Sequence, residues 1–167
     1  MATASELEAF ISAEYPRLVK ALTAQTASRA LAEDLAQEAL VRVCDRWDKV
    51  AAMANPRAWL YRTAMNLACS WFRRIGAERR AFVRHGVPVG AADSTAEAAQ
   101  AMALRQALQR LPVKQRTALV YRYCLDLPVS EVASLMGTTD AAVRQMTSRG
   151  AAALRERVEP FEVSAWT

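Results

Sequence analysis

The chain has 167 residues, 53% of them apolar, a net charge of +5 and a pI near 9.5. That apolar share argues against a disordered chain, and three well-separated cysteines (Cys44, Cys69, Cys124) with one histidine, His85, argue against a zinc site, which needs about four close ligands. No apolar run approaches the ~20 residues that cross a bilayer, and MATASELEAF is no signal peptide, so a cytoplasmic protein with reduced thiols is expected.

Few glycines and prolines among abundant Ala, Leu, Arg and Glu favour an all-α fold. Residues 5–24 show helical spacing at Leu7, Phe10, Ile11, Leu18 and Leu22, with Pro16 as a point of kinking or restart. Residues 28–47 carry Leu31, Leu35, Ala39, Val43 and Trp47 every four positions, widened by Leu40 and Val41; Ser28 is the expected cap. After a short connection at 50–54, Asn55-Pro56 starts a helix through Trp59, Leu60, Thr63 and Ala64. Asn66 is expected to break it, and Ser70 to cap a further helix to about Arg80.

Composition then shifts. RHGVPVGAADS (84–94) has no periodicity and reads as a linker between two small helical units. The expected division is 1–80, a linker at 81–96, and 97–160. The second unit reads as helices at 95–110 and 113–124, a turn at Asp126-Leu127-Pro128, a short helix capped by Ser130 and ending at Met136, a turn at Gly137, and a last helix from Asp140 to about 157, stopped by Pro160.

The last two helices form a helix-turn-helix, whose second helix would present Arg144, Gln145, Ser148 and Arg149 on one outer face. Arg pairs with guanine, Gln with adenine and Ser with several groups, although the same spacing also fits a solvated face. In the first unit, Asp34, Gln37, Glu38, Arg42 and Asp45 line a polar face, whose spacing alone fits a solvated face with helix-stabilising charge pairs better than a binding site. Arg62, Arg73, Arg74, Arg79 and Arg80 gather near Trp59, Tyr61, Trp71 and Phe72, a mixture able to bind unstacked single strands, although Trp59 fits core packing better.

AEDLAQEALVRVCDRWDKV (32–50) with NPRAWLYRTAMNLACSWFRR (55–74) resembles domain 2 of the extracytoplasmic-function (ECF) sigma factors of the sigma-70 family. LPVKQRTALVYRYCLDLPVSEVASLMGTTDAAVRQMTSRGAAALRERV (111–158) resembles their domain 4. The resemblance implies a protein without enzymatic activity or cofactor that binds core RNA polymerase, at the β′ clamp helices and the β flap, and directs it to promoter DNA. The polymerase-binding set would be Asp34, Leu35, Gln37, Glu38, Arg42 and Trp47. A loop of Asn66, Leu67, Ala68, Cys69 and Ser70 would capture a flipped −10 base, with Arg62, Trp71, Arg73 and Arg74 beside it. Arg144, Gln145, Ser148 and Arg149 would read the −35 element, with phosphate contacts from Thr138 and Thr139 and from Arg116 or Arg122. Many members are held by an anti-sigma factor, which adds one to the candidate partners.

The chain departs from many members at Met146 and Ala151, where they carry Arg, and at Ser70, where they carry Asp. Fewer cations on the last helix weaken phosphate attraction and alter the promoter read. The alternative, a stand-alone helix-turn-helix regulator, accounts for 111–158 and leaves 28–74 unused.

Overall fold

The computed structural model describes residues 3–81 and 96–157, with side chains over 3–75 and 99–157; every regular element among them is helical. Helix α1 (Ala4–Thr26) starts at a reciprocal cap, with Thr3 Oγ1 accepting from the Glu6 amide at 3.2 Å and Glu6 accepting from the Thr3 amide at 2.7 Å. Pro16 does not restart it, and α1 runs through that position unbroken. Proline frees the carbonyl four residues back, at Ser12, and both residues lie on the exposed side, where water can serve that carbonyl.

Ala27, at φ 61°, turns the chain, and Ser28 Oγ accepts from the Leu31 amide at 3.3 Å to start α2 (Arg29–Cys44). This helix stops short of the expected Trp47. That residue opens a one-turn α3 (Trp47–Ala51), so Val50 and Ala51 are helical rather than connecting. Trp47 is held by its neighbours at the start of α1: its ring meets Phe10 at 5.3 Å between centroids, and its indole N–H donates to the Thr3 carbonyl at 3.3 Å.

Asn55 Oδ1 accepts from the Ala58 amide at 2.9 Å, and α4 (Pro56–Ala81) follows without interruption. The expected break at Asn66 is absent, and Ser70 lies mid-helix rather than at a cap. Asn costs only about 0.7 kcal/mol against Ala in a helix. Buried Leu60, Tyr61, Ala64, Met65 and Ala68, spaced three or four apart, outweigh it. Position 66 itself is exposed.

The second half consists of α5 (Ala96–Gln109), α6 (Val113–Leu119), α7 (Val129–Met136) and α8 (Asp140–Arg155). The helix expected over 113–124 is α only to Leu119. It continues as a π-helical segment, Val120–Cys124, closed by the Leu125 amide on the Val120 carbonyl at 3.2 Å. Helix α7 begins at Val129 behind Pro128, so Ser130 lies inside its first turn and is not its cap. The 84–94 linker and the stop at Pro160 lie outside the described residues.

The two halves share one core. Leu18, Leu22, Leu40, Val43, Leu60 and Tyr61 are continuous with Val120, Tyr121, Leu125, Val132 and Val143. The seam between the halves is polar as well as apolar. Gln25 Nε2 donates to Thr117 Oγ1 at 3.1 Å, and Gln109 Nε2 donates to the Gln25 carbonyl at 3.1 Å. At the edge, Asn55 Nδ2 donates to Glu131 Oε1 at 2.6 Å. The Arg116 guanidinium lies 4.8 Å from the centroid of the Phe72 ring and donates to Gln109 Oε1 at 2.6 Å. Arg116 is only 3% exposed, and burial pulls its pKa down.

Candidate functional site

Three exposed polar faces carry the residues singled out by the sequence. The first is on α8. Gly137, at φ 61°, ends α7 in the left-handed conformation that glycine tolerates best. The Thr138 amide bonds the Ala133 carbonyl at 2.9 Å, and Thr139 Oγ1 caps α8 through the Ala142 amide at 3.2 Å. Val143, Thr147, Gly150, Ala151 and Leu154 face inward. A Cβ on Gly150 would fall 2.8 Å from Leu119 Cδ1, so the glycine is what lets α8 lie close on α6. This packing turns Arg144, Gln145, Ser148 and Arg149 outward, all exposed. Arg144 and Asp140 are 3.7 Å apart and both solvated, a weak tie that leaves the guanidinium able to reorient. Thr138 and Thr139 are exposed at the same end.

The second face runs along α4. Residues 66–70 form no loop, contrary to expectation. Helical spacing instead sets Arg62, Asn66, Ser70 and Arg73 on one exposed stripe, with Arg74 exposed beside it. Arg73 Nη2 donates to Ser70 Oγ at 2.9 Å. Leu67, Cys69 and Trp71 are half-buried, and Ala68 is fully buried. The Trp71 ring meets Phe72 edge-on, 5.1 Å between centroids. Burial pushes the Cys69 thiol pKa up, against the pull of nearby Thr117, Arg116 and Arg73, which makes it a poor thiolate.

The third face is on α2. Asp34, Gln37, Glu38 and Arg42 are exposed, and Arg42 pairs with Glu38 at 2.6 Å. Leu35, at 6% exposed, belongs to the core rather than to this face, and Trp47 is half-buried against Phe10. Val41 was read as part of the buried stripe, yet it is 57% exposed, between Gln37 and Arg42. The four-residue repeat through Leu35, Ala39 and Val43 would have placed Val41 two positions off the stripe, about 200° around the helix.

The supporting arginines divide. Arg116, expected near phosphate, is buried against Phe72, and Arg122 is half-buried, donating to the Leu127 carbonyl. Trp59 packs against the core. Among the described residues, no helix is long and apolar enough to cross a membrane.

Two family models match the chain. Sigma-70 region 2 matches residues 10–78, and Sigma-70 region 4 matches residues 101–154. The chain is 30% identical to the RNA polymerase sigma-E factor of Streptomyces antibioticus, over 80% of this chain and 74% of that one. It is 34% identical to the ECF RNA polymerase sigma factor SigJ of Mycobacterium tuberculosis, over 74% of this chain and 42% of that longer one. The sigma factor RpoE of Bartonella quintana, solved in complex with the anti-sigma factor NepR, has the same fold: TM-score 0.77 and 20% identity, covering 95% of this chain and all of that one. With region 2 on the half that carries the α2 and α4 faces and region 4 on the half that carries α8, the chain belongs to the ECF class of the sigma-70 family, RNA polymerase factors that act in transcription initiation.

Proposed function

We propose that this sigma factor docks on core RNA polymerase through the α2 face, reads the −35 element with α8, and recognises and melts the −10 element with the α4 stripe. The observation that carries this division of labour is that Arg144, Gln145, Ser148 and Arg149 lie exposed on one helix while Arg62, Asn66, Ser70 and Arg73 lie exposed on another. Arg149 can donate twice to a guanine edge in a major groove, and Gln145 can donate to and accept from an adenine edge. Asn66 offers both a donor and an acceptor to the polar edge of an unstacked base, with the Ser70 hydroxyl one turn away and Arg62 and Arg73 for the backbone.

On α2, Asp34, Gln37, Glu38 and Arg42 surround Val41, a polar rim around an apolar centre fit for the β′ clamp helices. Domain 4 meets the β flap. The protein works in the cytoplasm, performs no catalysis itself and needs no cofactor. The likeness to a sigma factor solved with an anti-sigma factor supports a partner of that kind for this chain. The two halves act as separate domains on the promoter. Each binds DNA weakly alone, and assembly on polymerase raises the effective concentration of one for its element once the other is bound.

The test is reconstituted transcription with core polymerase on a promoter library. The wild type is expected to start RNA at discrete promoters. Asn66→Ala should lose opening while retaining −35 dependence, and Arg149→Ala should lose −35 dependence. A wild type that neither joins core polymerase nor yields specific transcripts would refute the reading.

A further inference from the structure

A cavity of about 590 Å³ lies where α1, the start of α2 and α5 meet, and no residue of the three faces described above lines it. Its floor is apolar. Val19 and Leu108, 9% and 1% exposed, form the base, with half-buried Ala24, Leu104 and Cys124 around them. Burial pushes the Cys124 thiol up to about 12, against the pull of Lys20, so this sulfur stays protonated and the floor carries no charge.

The rim is cationic. Lys20 and Arg29 are exposed and Arg105 is half-buried, against one lining carboxylate, Glu33, so the opening is net positive. Glu33 is engaged locally, accepting from Arg29 Nε at 2.8 Å. Lys20 on α1 and Arg105 on α5 therefore bring positive charge to the opening from two different helices. Small-molecule sites occupy roughly 300–1,000 Å³, with mostly apolar walls and a few polar groups that fix orientation. This cavity has that size and that division of lining.

We propose that the cavity binds a free amphipathic monocarboxylate, its apolar body on the Val19, Leu104, Leu108 and Cys124 floor and its carboxylate at the Lys20 and Arg105 end. A guanidinium matches a carboxylate with two parallel N–H donors, and an ammonium adds a point charge beside it. The uncharged floor takes the alkyl or aryl body, which loses contact with water there. Glu33 at the same rim repels a second negative charge, which disfavours a dianion such as a phosphate monoester.

The test titrates decanoate into the full-length protein by calorimetry, with decanol as its uncharged counterpart. Decanoate is expected to bind at one site with a Kd on the order of 10–100 µM, and decanol about tenfold more weakly. Lys20→Gln/Arg105→Gln should weaken decanoate about tenfold and leave decanol unchanged, a split that a merely structural role of these cations would not produce. Ala101→Trp, at an exposed position of the lining, should block both ligands by filling the cavity. At about ten times its Kd, decanoate should slow alkylation of Cys124 about tenfold, read by mass spectrometry, and leave exposed Cys44 unchanged. Decanoate that fails to saturate the protein by about 1 mM overturns the site. So does equal affinity for decanol, binding that the charge variant does not weaken, or binding that survives Ala101→Trp at native helix content. Where Ala101→Trp lowers helix content, the charge variant and the protection of Cys124 decide. Binding here needs neither polymerase nor DNA, so its outcome is separate from the transcription test above.

Discussion

The guanidinium of Arg116 lies over the face of Phe72, 4.8 Å from its centroid, and so joins α6 of one half to α4 of the other. A cation over a shielded ring is worth about 1–2 kcal/mol. Phe72→Leu keeps apolar bulk and removes the π face. We expect a stability loss of about that size in urea unfolding, with Arg116→Ala costing less in that background than in the wild type. Full additivity of the two substitutions would show that the pair does not interact.

At Gly150, the nearest side chain of α6 leaves no room for a branched residue. Gly150→Val should lower stability by about 1–3 kcal/mol through overpacking against Leu119. The midpoint of thermal unfolding would fall accordingly. An unchanged midpoint would mean that α8 and α6 do not approach as closely as described.

Alkaline pH should unfold the chain early. Burial, reinforced by the hydroxyl's hydrogen bond to Glu14, pushes the pKa of Tyr61 up to about 12 from 10.0. Burial likewise pushes Cys124 up to about 12 from 9.0 and raises Tyr121. The folded chain keeps these protons over a range in which the unfolded chain releases them. Their contribution is therefore fully present below about pH 9 and is lost as the pH rises from there toward about 12. Each retained proton gives a slope of about 1.4 kcal/mol per pH unit. Tyr61→Phe should flatten the profile between about pH 10 and 11. Urea midpoints across this range measure it, and a flat wild-type profile would contradict the burial of these groups.

Val41 tests the proposed polymerase face. Val41→Asp leaves the core untouched, because the side chain is exposed, and should weaken binding to core polymerase by about 1–2 kcal/mol. Helix content and unfolding midpoint should stay at wild-type values. Unchanged binding in a titration against labelled core polymerase would remove α2 from the interface.

Much of this was legible from residue order. Ser28 and Asn55 cap the helices they were expected to cap, Gly137 takes the left-handed turn, and the four outward residues of α8 are all exposed. These features rest on local geometry, which a sequence states directly. The failures came where packing outweighed a local preference. Asn66 resembles a helix breaker, yet the buried run from Leu60 to Ala68 carries α4 through it. Arg116 resembles a surface cation, but a ring 44 positions away covers it. The residues expected to capture a base consequently form a helical stripe rather than a loop, with Ala68 turned into the core.

The π-helical segment at Val120–Cys124 has one more implication. Such a segment is an α-helix holding one surplus residue. Without that residue, everything after Cys124 would be rotated by about 100° relative to α6. The compass bearing of α8 is therefore fixed by a count of residues between Val120 and Leu125, as well as by side-chain chemistry. A relative lacking that extra position would need a gap in any alignment here, and its last helix would have to regain its bearing by another route.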